Sequence, residues 1–142
     1  MRLKQLVGQS GGVSAREALQ GASERLDDIR DDCLNAIDHK IELVRGLANA
    51  TDEQSRSRCY SLSNEIFAEA GAFGLHELSA AAHSLCALIA AADHAPIPAS
   101  AVIVHANALR LLRLPEDADS KQTRGALLRE LRAMTTRLSS AR

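Results

Sequence analysis

The sequence predicts an all-α fold, an up-down antiparallel four-helix bundle with an additional C-terminal helix, and three observations carry that expectation. Apolar residues fill 46% of the 142 positions, yet the aromatics are confined to Tyr60, Phe67 and Phe73. A core built mainly of Ala, Leu, Ile and Val suits closely packed helices better than a β-sandwich. Apolar residues also recur at steps of three and four along most of the chain, the period that keeps them on one helix face. Finally, the connections marked by Gly and Pro are short, which sets successive helices side by side and antiparallel.

Residues 1–12, with Gly8, Gly11 and Gly12 and little periodicity, read as an N-terminal arm, and residues 13–142 as a single helical domain. Ser14 and Glu17 have the spacing of a capping box, so a long helix should start there. Its stripe of Leu19, Ala22, Leu26, Ile29, Cys33, Ile37, Ile41, Val44 and Leu47 is expected to face inward, with Gly21 a place where the helix could break. Thr51 and Gln54 offer a second capping box, opening a helix that turns Cys59, Leu62, Ile66 and Ala70 inward and ends near Gly71 and Gly74. A third helix carries Leu75, Leu78, Ala82, Leu85 and Leu88 and stops before Pro96 and Pro98. Pro98 suits the first position of a fourth helix bearing Val102, Ala106, Leu109 and Leu112, ending near Pro115. Glu116, Asp117 and Asp119 fit the linker and the start of a fifth, whose inward face reads Leu127, Leu128, Leu131, Met134 and Leu138.

The net charge of −1 provides no basis for a nucleic-acid partner, because basic residues are scattered among acids rather than gathered on one face. No apolar run approaches the roughly 20 residues that span a bilayer, and the N-terminus lacks the apolar region of a signal peptide. The expectation is therefore a cytoplasmic protein with no membrane partner. Cys33, Cys59 and Cys86 are odd in number and without CxxC spacing, so they read as small buried apolar residues. Walker, GxSxG, HExxH and dinucleotide motifs are missing, which removes the commonest routes to an enzyme, and no cofactor is expected.

The segment from Ala70 through Gly71, Phe73, Gly74 and Leu75 to Leu78, Ala82 and Leu85 resembles the turn and following helix of histidine-phosphotransfer (HPt) domains. The likeness covers roughly residues 25–115, and Gly71, Phe73, Gly74 and Leu75 form its structural motif. In that register the family's phosphoacceptor histidine is replaced by Asn64. An amide cannot hold a phosphoryl group as a labile phosphoramidate, so the resemblance implies a member without phosphoacceptor chemistry at this site. The family's lysine and glycine are replaced by Phe67 and Ala68, and Glu65 and Glu69 would repel an incoming phosphoryl group. The resemblance further implies a response-regulator receiver domain or a histidine-kinase module as partner. Arg56, Tyr60, Ser63, Asn64, Phe67 and Ala68 would form or border the contact. Ile66 and Phe67 are adjacent, so only one of them can point directly inward.

His83 is an alternative phosphoacceptor, since Ala82-His83-Ser84-Leu85 repeats letters of the family motif, although Cys86-Ala87 stands where Lys-Gly is expected. His76 should lie near the same face. Both with Cys86 fall short of the four ligands of a closed zinc site, so no metal is expected. His39, His94 and His105 read as surface or helix-end residues. The acidic run Asp27, Asp28, Asp31 and Asp32 reads as a solvated face beside Arg25 and Arg30. Two further readings stand beside the docking module: an active phosphotransfer protein using His83, and a structural module in which the first helix pairs with its twin as a homodimer.

Overall fold

The computed structural model describes residues 14–115, 117 and 120–140. These residues form five helices and no strand: α1 (Ala15–Gly46), α2 (Glu53–Ala72), α3 (His76–Ala92), α4 (Ala99–Arg113) and α5 (Lys121–Ser140). The expected arm at 1–12 lies outside the described residues, as do Glu116 and Asp119. Contacts divide the chain into two compact units between Cys33 and Leu34.

In the first unit α1 opens with the expected capping box. The Ser14 N–H donates to Glu17 Oε2 at 3.2 Å, and the Glu17 N–H donates to Ser14 Oγ at 3.1 Å. Gly21 does not break the helix. The expectation of an inward stripe fails here, because Leu19, Leu26 and Ile29 are 72%, 65% and 56% exposed. Periodicity reports that a helix has an apolar face, not that anything covers it. Asp27, Asp28, Asp31 and Asp32 are all exposed, as a solvated face should be.

In the second unit the stripe does enter a core. Ile37, Ile41 and Val44 are buried with Leu62 and Ile66 of α2, Leu78, Leu85 and Leu88 of α3, Leu109 and Leu112 of α4, and Leu131 of α5. Full burial of each such side chain contributes about 2 kcal/mol. Helix α3 packs against α2, α4 and α5, and the fully buried Ala81 and Ala82 let those backbones approach closely. Surface ion pairs add little individually. They join α1 to α2 through Lys40 with Glu65 and Glu69, and α1 to α4 through Glu42 with Arg110 and Asp38 with Arg113.

Helix ends account for several departures from expectation. The N-cap of α2 is Asp52, not Thr51: its carboxylate accepts from the Ser55 N–H at 2.9 Å. Hydrogen bonding from the Ser55 side chain, and secondly from its backbone N–H, holds the Asp52 carboxyl below its ordinary range. Pro98 is the N-cap of α4, one residue before the helix. At the α2–α3 turn Gly74 takes φ +76°, Leu75 N–H reaches Ala70 O at 2.8 Å, and Gly74 N–H reaches Gly71 O at 3.1 Å. This is a Schellman closure, and its left-handed residue is glycine because a Cβ there is strained. Gly71 itself sits in the last turn of α2, where an added Cβ would lie 3.4 Å from Ser79 Oγ.

Two buried polar features tie α5 down. Arg124 is 6% exposed. Its guanidinium donates to Glu77 Oε1 at 3.2 Å on α3, and to the carbonyls of Leu112 at 2.8 Å and Leu114 at 3.2 Å. Those carbonyls are orphans of the α4 C-terminus and carry its partial negative charge, so a cation satisfies both needs. His105, expected on the surface or at a helix end, is instead wholly buried in α4. Its Nδ1 lies 2.8 Å from Ala101 O, which can only accept, so Nδ1 carries the proton. Nε2 then accepts from Ser84 Oγ at 3.0 Å, and Ser84 accepts from Thr135 Oγ1 at 3.0 Å. The chain of bonds runs α4 to α3 to α5.

Candidate functional site

The α2 face singled out by sequence divides sharply. Tyr60, Asn64, Phe67 and Ala68 are exposed and follow at helical spacing, so they share one outward face. Ser63 does not join them: it is fully buried, and its hydroxyl donates to Cys59 O at 2.8 Å, which corrects its expected place at a partner contact. Arg56 lies near the far end of the helix, where its guanidinium donates to the carbonyls of Asp93 and Ala95. The Ile66–Phe67 ambiguity resolves with Ile66 fully buried and Phe67 38% exposed.

The Phe67 ring rests against His83 of α3, with centroids 5.2 Å apart and planes tilted by 46°. Beneath it, Ser79 Oγ donates to Phe67 O at 2.8 Å, locking the two helices together at this point. The expected repulsion from Glu65 and Glu69 is weakened, because Lys40 of α1 pairs with both carboxylates. His83 is exposed in mid-helix, and His76 shares its groove, as expected. The far wall of that groove belongs to α5 and includes Arg132 and Thr136, and among the described residues no carboxylate lines it. Sequence reasoning missed the α5 wall because residues some fifty positions apart meet only through tertiary packing.

Ser84 also reaches this groove, and its bond to His105 has the separation of a nucleophile and its base. It lacks the rest of an acyl-transfer site. Ser84 lies inside α3, where backbone N–H groups are spent on the helix, and Thr135 occupies the oxygen's other side. Burial lowers the His105 pKa from 6.5, partly offset by the Ala101 carbonyl, so the ring is neutral and structural. Burial likewise pushes the Cys59 and Cys86 thiols up to about 11, leaving both protonated near neutrality and poor nucleophiles. Cys33 is half-buried rather than buried.

Near the opposite end of α2 a cavity of about 170 Å³ is walled by Leu47, Cys59, Ile89 and Val102, with Arg56 and His94 at its rim. Among the described residues no three His, Cys, Asp or Glu side chains gather where they could hold a metal ion. No helix among them is long and apolar enough to cross a membrane. No protein family matches this chain, and no curated protein or solved structure matches it.

Proposed function

We propose that this chain is an HPt-like signalling module without phosphoacceptor chemistry at position 64, which docks a receiver domain or histidine-kinase module in the cytoplasm and modulates two-component signalling. The observation that carries the reading is the outward setting of Asn64 on a helix whose neighbours Ser63 and Ile66 are buried. A relay histidine needs that setting, and an asparagine in it presents the same docking face with no nucleophile. The reading takes α1 to α4 as an up-down four-helix bundle with α5 added. Supporting this, Cys86 meets Tyr60 O while Ser79 meets Phe67 O, so residue numbers rise along α2 as they fall along α3. Tyr60 and Phe67 offer half-exposed aromatic anchors beside small polar surface, the composition that concentrates binding energy at interfaces.

A second reading has its own observation. His83 is exposed and shares a groove with the Arg132 guanidinium, so it has both the access and the nearby cation that a phosphoacceptor needs. One experiment separates the two. Phosphorylated receiver domains are supplied to wild type, Asn64→His and His83→Ala, and acid-labile phosphate on the chain is measured. The docking reading expects label on Asn64→His alone, and Phe67→Ala to weaken receiver binding. Label on wild type that His83→Ala abolishes would replace it with the second reading.

A further inference from the structure

The first half of α1 carries Leu19, Ala22, Leu26, Ile29 and Cys33 at steps of three, four, three and four, the a/d repeat of a coiled-coil seam. Its large members are more than half exposed. A helix of this length without a covered apolar face is marginal in water, since most helical stability in proteins comes from packing. The charges beside the stripe say what fits it. Set antiparallel against a second copy with Leu26 on the partner's Ile29, the helix brings Ala22 to the partner's Cys33 and Arg25 to the partner's Asp32, each twice by symmetry. Sliding by one heptad in either direction sets Arg25 against the partner's Arg25, or Asp32 against the partner's Asp32. The parallel register sets Arg25 against the partner's Arg30. Flanking charges of this kind select orientation and register in two-stranded coils.

From this self-complementary pattern we infer that residues 19–33 of α1 form an antiparallel interface with a second copy of this chain. The inference is independent of the docking reading, which concerns α2 and α3. Arg25 and Asp32 are both exposed and available to an approaching helix. The seam is short and includes Ala22 and Cys33, so the dimer dissociates on dilution.

Sedimentation equilibrium of the full chain tests it. The expected mass rises with concentration from 15.2 kDa toward twice that value. Leu26→Lys, at an exposed position, holds the 15.2 kDa species while the melting of the second unit persists. Arg25→Asp weakens association roughly tenfold by opposing two acids at each flank, and adding Asp32→Arg to it restores wild-type affinity. Mild oxidation of Ala22→Cys gives a covalent dimer through Cys33, the other two thiols being buried. A wild type still monomeric at on the order of 100 µM overturns the inference, since even a weak homodimer shows there. So does an Arg25→Asp variant that associates more tightly, the signature of a parallel pair.

Discussion

Replacing Arg124 with leucine keeps an apolar stem in place and deletes a buried cation that serves two helices at once. The side chain is 7% exposed and its Glu77 partner 27%. Losing it strands the carbonyls of Leu112 and Leu114 and leaves Glu77 without its ion pair. Breaking a buried pair costs about 3–5 kcal/mol, and a hydrogen bond to a charged group about 1.5–3 kcal/mol. Glu77 is partly solvated and Leu114 exposed, so water recovers some of this and the lower end applies, about 3 kcal/mol. In a chain of this size that lowers Tm by about 10 °C. Urea unfolding followed by circular dichroism measures it. Arg124→Lys falls between the two, because one ammonium cannot span the carboxylate and the carbonyls together. Amide exchange should quicken in α5 before α2, since the lost bonds hold α5. An Arg124→Leu variant within about 0.5 kcal/mol of wild type would show that packing alone seats α5.

Gly74→Ala forces a Cβ into φ +76° and should cost about 1 kcal/mol, read as a shift in urea midpoint at unchanged slope. His105 is depressed below 6.5 by burial, so the unfolded chain binds the extra proton first; stability is full above pH 6.5 and falls as pH drops below it. His105→Gln should flatten that acid limb in a pH series of unfolding curves. Cys59 and Cys86 are raised from 9.0 to about 11, so the unfolded chain loses protons first and stability falls as pH climbs from 9.0. The Cys59→Ala, Cys86→Ala double variant should remove much of that alkaline loss.

Helix existence and most core positions were legible because the apolar period is strong and continuous. Leu62, Ile66, Leu78, Leu85, Leu109 and Leu131 are all inside, as their spacing requires. The α2–α3 turn was legible for a simple reason: a left-handed residue selects glycine, and Gly74 stands where the helix must end. Three features were not legible. Asp52 outcompetes Thr51 as a cap, since either residue can serve and one position decides between them. His105 and Arg124 are polar residues inside the core, and their partners Ser84 and Glu77 lie 21 and 47 positions away in sequence. The exposed stripe of α1 was misjudged because period reveals a face without revealing its occupant. At the candidate site, Asn64 and Phe67 are exposed, whereas neighbouring Ser63 turns inward.

The hydroxyl of Ser79 fastens the backbone beneath Phe67, and the Phe67 ring in turn leans on His83. A visitor pressing on this patch therefore pushes on two rods pinned to each other, not on one loose rod. On the docking proposal, little freedom would remain to be surrendered there on binding, and a partner would meet a surface already set. Cutting the pin with Ser79→Ala would leave every outward atom in place while restoring slack beneath them.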